Sequence, residues 1–165
     1  MQYKKITRPL PFRFTLVFAL TLVLLAGCSQ RKISTGSPTG SSLGARVART
    51  ATTQIGKKYR VGGSSPQRGF DCSGLVFWAY GQHGYKIPRT TAGQARAGTS
   101  VPQSRLMPGD IVVFRESSRR NQLHTGVYIG NNNFVHSPNS RSSVRIDSLT
   151  AHWRKVFIDG RRIAK

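Results

Sequence analysis

The chain has 165 residues, and its 26 lysines and arginines against 5 acidic residues give a formal net charge of +21. This length allows one domain after a leader segment and excludes two. The basic residues are scattered and no recognisable nucleic-acid-binding motif accompanies them, so we expect no nucleic-acid partner. We favour a solvated basic surface over a dedicated binding patch.

The N-terminal segment, residues 1–27, has the pattern of a secretory signal peptide. Four basic residues precede an apolar run that is too short to span a bilayer comfortably, although a membrane anchor helix is the alternative. The run closes with Leu-Ala-Gly-Cys at residues 25–28, which resembles the lipobox of bacterial lipoproteins. This resemblance implies cleavage before Cys28 and attachment of acyl chains such as palmitate to Cys28. Because Ser29 is not acidic, it also implies anchoring in the outer membrane, facing the periplasm.

A tether and one domain follow this segment. Residues 28–43 are mostly Ser, Thr, Gly and Pro without a hydrophobic period, which predicts a flexible tether. Residues 44–165 form the domain. Loss of residues 1–27, which hold four basic and no acidic residues, lowers the charge to about +17. If Cys28 is lipidated, Cys72 has no cysteine with which to form a disulfide, so it is either a buried small hydrophobe or a functional thiol.

The first half of the domain predicts helices. Apolar residues, with Ile55 as the last, recur at four-residue spacing over 44–57, which indicates a helix. After a loop, a second helix begins at Asp71 or Cys72 and runs to about residue 82, because Asp71 is a good N-cap residue. Its buried stripe includes Phe77.

The second half predicts strands. A short third helix, over 88–97 with Thr90 as its cap, leads into this half. Continuous or alternating apolar runs then indicate strands at 110–114, 123–129, 133–137, 144–146 and 156–158. Helices followed by strands predict an α+β domain, with N-terminal helices packed on a central antiparallel β-sheet.

Cys72 lies where a reactive thiol is expected. The first turn of a helix has unpaired N–H groups and the positive end of the helix dipole, and both stabilise a thiolate. Asp71 would oppose this effect, so we assign it to capping rather than to catalysis.

The four histidines of the chain divide into two pairs. His83 lies about three turns along the second helix from Cys72, and His152 lies in an expected surface turn. His124 and His136 both lie on predicted strands, and a histidine in an apolar strand needs a hydrogen-bond partner. This arrangement predicts Cys72 as nucleophile, His124 as base and His136 as the group that orients His124.

The hairpin between the two strand histidines makes a geometric prediction. A regular two-residue loop would pair His136 with Val127 and place His124 on the opposite face. A three-residue loop would pair His136 with Gly126, on the same face as His124. We therefore predict an odd loop or a bulge with a left-handed Asn132, so that both imidazoles face the helix of the nucleophile.

Several segments together resemble the NlpC family of bacterial peptidoglycan endopeptidases, which are papain-like cysteine peptidases, over nearly all of residues 45–160. These segments are Tyr59 to Gly63, Asp71-Cys72-Ser73-Gly74, Pro88-Arg89-Thr90, Pro108-Gly109-Asp110, His124 to Gly130, and Phe134-Val135-His136. The resemblance also implies that Tyr59 supports the oxyanion through its hydroxyl. One departure is Thr125, where relatives often have an aliphatic residue.

The resemblance implies acyl transfer from stem-peptide amides or cross-links through a thioester on Cys72, with no cofactor and no metal. It also implies that the protein is a monomer whose partners are peptidoglycan and, through Cys28, the membrane. Which peptidoglycan bond is cut does not follow from the resemblance. The rival interpretations are a metal site of Cys72, His124 and His136, which lacks any close ligand pair, a non-catalytic wall-binding module, and amidase or acyltransferase chemistry on the same scaffold.

Overall fold

A six-stranded antiparallel sheet is the centre of the computed structural model, which describes residues 42–115 and 122–163. The predicted signal peptide and most of the predicted tether, including Cys28, lie outside the described residues. The described part of the chain contains no helix that is long and apolar enough to cross a bilayer.

Five helical elements are present in the described residues. They are α1 (Leu43–Thr52), α2 (Cys72–Gly81), α3 (Thr91–Gln94), a 3-10 turn (Gln103–Arg105) and α4 (Ala151–Val156). The three helices predicted in the first half are confirmed, whereas α4 was expected to be a surface turn. Strand-like neighbours on both sides hide this short helix in the sequence pattern.

Eight strands complete the described fold. They are β1 (Ser64–Ser65), β2 (Gly69–Phe70), β3 (Thr99–Val101), β4 (Ile111–Arg115), β5 (Leu123–Gly130), β6 (Asn133–His136), β7 (Arg145–Ser148) and β8 (Phe157–Arg162). The sheet order is β3-β8-β4-β5-β6-β7, and β1 and β2 form a separate small hairpin. The α+β class and the five predicted strands are confirmed, and the three unpredicted strands are two or three residues long.

Helix α1 is shorter than predicted. The Ser42 side chain caps its start, and the helix ends at Thr52 rather than at residue 57. Gly56 has a left-handed φ of 87°, which breaks the helical path. Ile55 therefore lies beyond the helix and is 46% exposed.

Helix α2 has the predicted start. Asp71 is its N-cap residue, and the carboxylate accepts a hydrogen bond from the Gly74 N–H at 2.6 Å. The prediction of a buried Phe77 is wrong, because this side chain is 37% exposed. Val76 of the same predicted stripe is fully buried as expected, and so is Leu75, since the body of the helix is enclosed by α1 and the sheet.

Two apolar clusters lie on opposite faces of the sheet. The larger joins α1 and α2 to Val113, Val127 and Val135. The smaller contains Phe114 and Phe134, with Trp153 of α4 packed against it. Alternate residues of the same strands thus pack against α1 and α2 on one face of the sheet and against α4 on the other.

The β5–β6 hairpin contains the predicted bulge. Val127 pairs with Val135, but Gly130 pairs with Asn133, so the register shifts by one residue in between. Asn131 and Asn132 both have positive φ, 50° and 60°, which confirms the left-handed Asn132. The irregularity puts both strand histidines on one face of the sheet, as the argument required.

The face of the sheet that holds the two strand histidines is not the face that packs on the body of α2. Val127 and Val135 alternate with the histidines and contact α2, whereas His124 and His136 pack with the aromatic side chains of the smaller cluster. We expected both imidazoles to face the helix of the nucleophile. This expectation is wrong for the body of α2, because the imidazoles lie on the opposite face of the sheet. Cys72 is the first residue of the helix, so it is the end of α2 rather than its side that belongs to the site.

Candidate active site

Cys72 occupies the first position of α2 and is partly exposed. The extended backbone of Asp71, with φ −87° and ψ 175°, turns the chain into the helix at this point. The thiol is thus attached where the N–H groups of the first turn point outward. The N–H groups of a first helical turn stabilise negative charge, so this position suits an attacking sulfur.

An arginine balances the acidic residue beside the nucleophile. Both carboxylate oxygens of Asp71 accept from the Arg89 guanidinium at 2.9 Å. The same guanidinium donates to the Gly63 carbonyl oxygen and the Ser73 hydroxyl, each at 3.0 Å. The Arg89 charge offsets the repulsion that Asp71 would exert on a thiolate. Arg89 also fixes the loop before the helix, a role that the sequence did not indicate.

A hydrogen-bonded relay of three side chains lies on strands β5, β6 and β7. Nε2 of His124 is 2.7 Å from Nδ1 of His136, and Nε2 of His136 is 3.1 Å from Oδ2 of Asp147. A carboxylate can only accept, so His136 donates from Nε2 and accepts at Nδ1. His124 then carries its proton on Nε2, which assigns the basic lone pair to Nδ1. The predicted role of His136, orienting His124, has the geometry that it needs.

Burial keeps both histidines of this relay neutral. The side chains are 1% and 0% exposed, and desolvation lowers the pKa of His124 to about 3 and that of His136 to about 4. Burial alone would raise the pKa of Asp147, but hydrogen bonds and charge from Arg145 and the neighbouring His136 lower it. A neutral imidazole backed by a carboxylate can take a proton from a thiol.

Trp153 covers the relay. Its ring centre is 5.5 Å from that of His124 and 5.1 Å from that of His136. The indole N–H donates to Oδ2 of Asp147 at 3.2 Å. This side chain excludes water from the relay and fixes the carboxylate, so α4 belongs to the site although its sequence suggested a turn.

Two sets of hydrogen bonds tie the nucleophile to the histidine strands. Ser137 Oγ donates to the Phe70 carbonyl oxygen at 2.8 Å, on one side of the nucleophile. On the other side, Gln94 Nε2 donates to the Ser73 carbonyl oxygen at 2.9 Å and Gln94 Oε1 accepts from Thr125 at 2.9 Å. Ser137 and Thr125 each directly follow one strand histidine. The backbone on both sides of the thiol is therefore held beside the relay.

Tyr59 lies on the segment next to the nucleophile. Its backbone forms a parallel bridge with Phe70, two residues before Cys72, and its N–H donates to the Ser142 carbonyl oxygen at 3.1 Å. This position fits the oxyanion role that the family resemblance implies, and the role of the hydroxyl stays a prediction.

The other two histidines do not take part in the relay. His83 is hydrogen-bonded to Thr50 on α1 at 2.9 Å, and His152 is exposed on α4. Within the described residues, no group of three or more His, Cys, Asp or Glu is arranged to hold a metal ion.

Asp147 was the main omission of the sequence reasoning. The composition held one signal: the chain has 5 acidic residues, and one of them, Asp147, directly follows the predicted strand at 144–146. Arg89 lies just before α3 and Gln94 is its last residue. The segment Pro88-Arg89-Thr90 resembles the family, but nothing in the sequence assigned a role to either side chain.

A cysteine at a helix N-terminus, held beside an antiparallel sheet with a His-His-Asp relay, defines a papain-like cysteine peptidase. The model of the NlpC/P60 family matches residues 56–162, and the chain belongs to this family.

Individual relatives agree with this assignment. Murein DD-endopeptidase MepH of Escherichia coli is 43% identical over 114 residues, which cover 67% of this chain and 42% of MepH. The probable endopeptidase NlpC of Escherichia coli is 37% identical over 158 residues, covering 92% of this chain and 99% of NlpC. An NlpC/P60 family protein from Bacillus cereus superposes with a TM-score of 0.67 at 33% identity, covering 73% of this chain and 40% of that one. The chain thus spans less than half of MepH and nearly all of NlpC.

Proposed function

We propose that this chain is a peptidoglycan endopeptidase that cleaves amide bonds in stem peptides or their cross-links. The observation that carries the proposal is the relay of His124, His136 and Asp147 on strands fixed beside the helix that begins at Cys72. The relatives named as murein or probable endopeptidases support the substrate class.

The proposed reaction has two acyl-transfer steps. The Cys72 thiol gives its proton to Nδ1 of His124, and the sulfur attacks the amide carbonyl carbon. The N–H groups of the α2 N-terminus, with Tyr59 as further support, stabilise the oxyanion. His124 protonates the leaving amine as the C–N bond breaks, which leaves a thioester. Water, deprotonated by His124, then releases the carboxylic acid and restores the thiol.

Digestion of purified muropeptides tests the proposal. The purified protein should release fragments that mass analysis assigns to hydrolysis of one amide bond, and Cys72→Ala should release none while keeping its melting temperature. Added hydroxylamine should divert part of the product to a hydroxamate, because it competes with water for the thioester. Unchanged cleavage by Cys72→Ala would refute the mechanism, and transfer products without hydrolysis would favour the acyltransferase alternative.

We also propose that the protein is anchored by acyl chains on Cys28, in the outer membrane and facing the periplasm, and acts as a monomer. The support is the lipobox-like sequence at residues 25–28. In cells, labelled palmitate should enter the wild-type protein and not Cys28→Ala. Incorporation into both proteins would place the acyl chain elsewhere.

A further inference from the structure

Gln94, the last residue of α3, is fully buried and uses its whole side-chain amide. Nε2 donates to the carbonyl oxygens of Ser73 and Pro88 at 2.9 and 3.0 Å, and Oε1 accepts from Thr125 Oγ1 at 2.9 Å. Ser73 directly follows the nucleophile and Thr125 directly follows the base. One amide therefore joins the two halves of the active site, and we name this set of bonds the Gln94 bridge.

We propose that Gln94 is a positioning residue, which keeps the start of α2 in register with strand β5 through the Gln94 bridge. This inference rests on the proposed function and adds a residue to it. A primary amide can donate twice and accept in one plane, whereas a carboxylate or a hydrocarbon of similar size cannot. A displacement of about 1 Å between reacting groups can lower the rate about 100-fold, so such a bridge bears directly on the chemistry.

The partner on β5 is the residue at which this chain departs from the family pattern. At Thr125 the family resemblance leads one to expect an aliphatic residue, and the side chain is fully buried. A valine would fill the same space without a donor for Gln94 Oε1. The hydroxyl is thus explained by the hydrogen bond it donates rather than by packing or solvent contact.

Thr125→Val tests the bridge with little change in shape. We expect kcat on muropeptides to fall at least about tenfold, with KM within about twofold, because the substrate gains and loses no contact. Thr125→Ser should recover most of the rate. The control is Tyr80→Phe, which removes a buried hydrogen bond to the Gly109 carbonyl oxygen from the far end of α2. It should lower the melting temperature by a similar amount and leave kcat within twofold.

A substrate-free readout separates this proposal from the proposed function. The rate of Cys72 alkylation by iodoacetamide, measured against pH, should fall severalfold near neutral pH in Thr125→Val and not in Tyr80→Phe, because the base is no longer in register. Equal alkylation profiles and equal kcat in the two variants would overturn the bridge. An absence of cleavage by the wild-type protein would refute the proposed function and leave the alkylation result to decide on Gln94.

A second and independent observation concerns charge. Within residues 42–115 and 122–163, every acidic side chain pairs with an arginine: Asp71 with Arg89, Asp110 with Arg162, Asp147 with Arg145, and Asp159 with Arg161. The carboxylates of this part are therefore engaged in internal pairs, while the more numerous lysines and arginines dominate its surface.

Five exposed basic residues lie on backbone segments that are joined around Phe70, two residues before the nucleophile, and we name them the basic rim: Lys57, Lys58, Arg60, Arg68 and Arg141. Backbone bonds bring their segments together. The Phe70 N–H donates to the Lys58 carbonyl oxygen at 3.2 Å, and the Arg60 N–H donates to the Phe70 carbonyl oxygen at 2.9 Å. Lys58 also bridges to Ser143, two residues from Arg141.

We infer that the basic rim binds the carboxylates of the stem peptide, which positions an acidic peptide across the site; this too rests on the proposed function. Its test is binding of Cys72→Ala protein to insoluble peptidoglycan at several salt concentrations. Added Lys58→Gln and Arg60→Gln should raise Kd about tenfold and flatten the salt dependence. Lys86→Gln with Arg105→Gln, an equal charge change away from the rim, should leave Kd within twofold. Equal weakening by both pairs, or equally tight binding to anionic lipid vesicles, would overturn the inference.

Discussion

The Asp147 carboxylate is the charged end of the relay, and Asp147→Asn tests whether the relay stabilises a protonated His124. Oδ2 accepts from Nε2 of His136 at 3.1 Å and from Trp153 at 3.2 Å, and Arg145 donates to it at 2.9 Å. An asparagine has nearly the same shape but no charge. The packing should therefore persist while the electrostatic support is lost.

The size of the effect follows from the type of bond. A hydrogen bond to a charged group contributes about 1.5–3 kcal/mol, and the support matters most when His124 carries the thiol proton. Since about 1.36 kcal/mol corresponds to a factor of ten in rate, kcat should fall about 10- to 150-fold. KM should stay within about twofold, because Asp147 lies behind His136 and not at the substrate.

The assay is steady-state cleavage of a purified muropeptide from pH 4 to pH 9. Loss of the carboxylate removes a charge that raises the pKa of both histidines, and these pKa values of about 3 and about 4 already lie at the acid end of this range. Both histidines therefore stay neutral in the variant, and the loss of kcat should be similar from pH 5 to pH 9. The control is Asp159→Asn, because Asp159 likewise lies on a strand and pairs with an arginine two residues away. The reasoning is refuted if Asp147→Asn loses no more kcat than Asp159→Asn.

Two further predictions concern stability. Since the pKa of folded His124 is about 3 and that of His136 is about 4, against an ordinary value of 6.5, the unfolded chain binds more protons between about pH 4 and 6.5. The free energy of unfolding should therefore fall by roughly 4 kcal/mol from pH 7 to pH 5, measured by urea denaturation. Gly74→Ala should destabilise the protein by about 2–4 kcal/mol, because a Cβ there would overlap the Gly63 carbonyl oxygen.

The glycine prediction has a matched control. Gly81→Ala lies on the same helix as Gly74, and a Cβ there would meet no atom within 4 Å. It should be neutral or stabilise by about 0.5–1 kcal/mol. A pH-independent free energy, or equal effects of the two glycine substitutions, would contradict the reasoning.

The site was largely predictable where local chemistry decides the structure. Asp71 is a helix cap in any context, so the start of α2 followed from sequence. The bulge before Asn132 followed from requiring His124 and His136 to share a face, and the register confirms it. These inferences need only the residue, its neighbours and the period of a strand.

The parts of the site that the sequence did not predict depend on long-range packing. Asp147 reaches His136 because β7 pairs with β6, and Gln94 reaches Thr125 because α3 packs on β5. No local pattern encodes such contacts. The face of the histidines was misjudged for the same reason: the sequence showed that they share a face, but not that the aromatic side chains around Trp153 would cover it.

Trp153 gives the protein a built-in optical probe. The chain has 2 tryptophans, and the other, Trp78, packs against Phe70 with ring centres 5.5 Å apart, away from the histidines. The fluorescence emission of Trp153 should respond to protonation of His124 and His136, whose rings it contacts. A protonated imidazole quenches a nearby indole. With Trp78 replaced by phenylalanine, fluorescence could follow the base as it takes up and returns the proton during a single turnover.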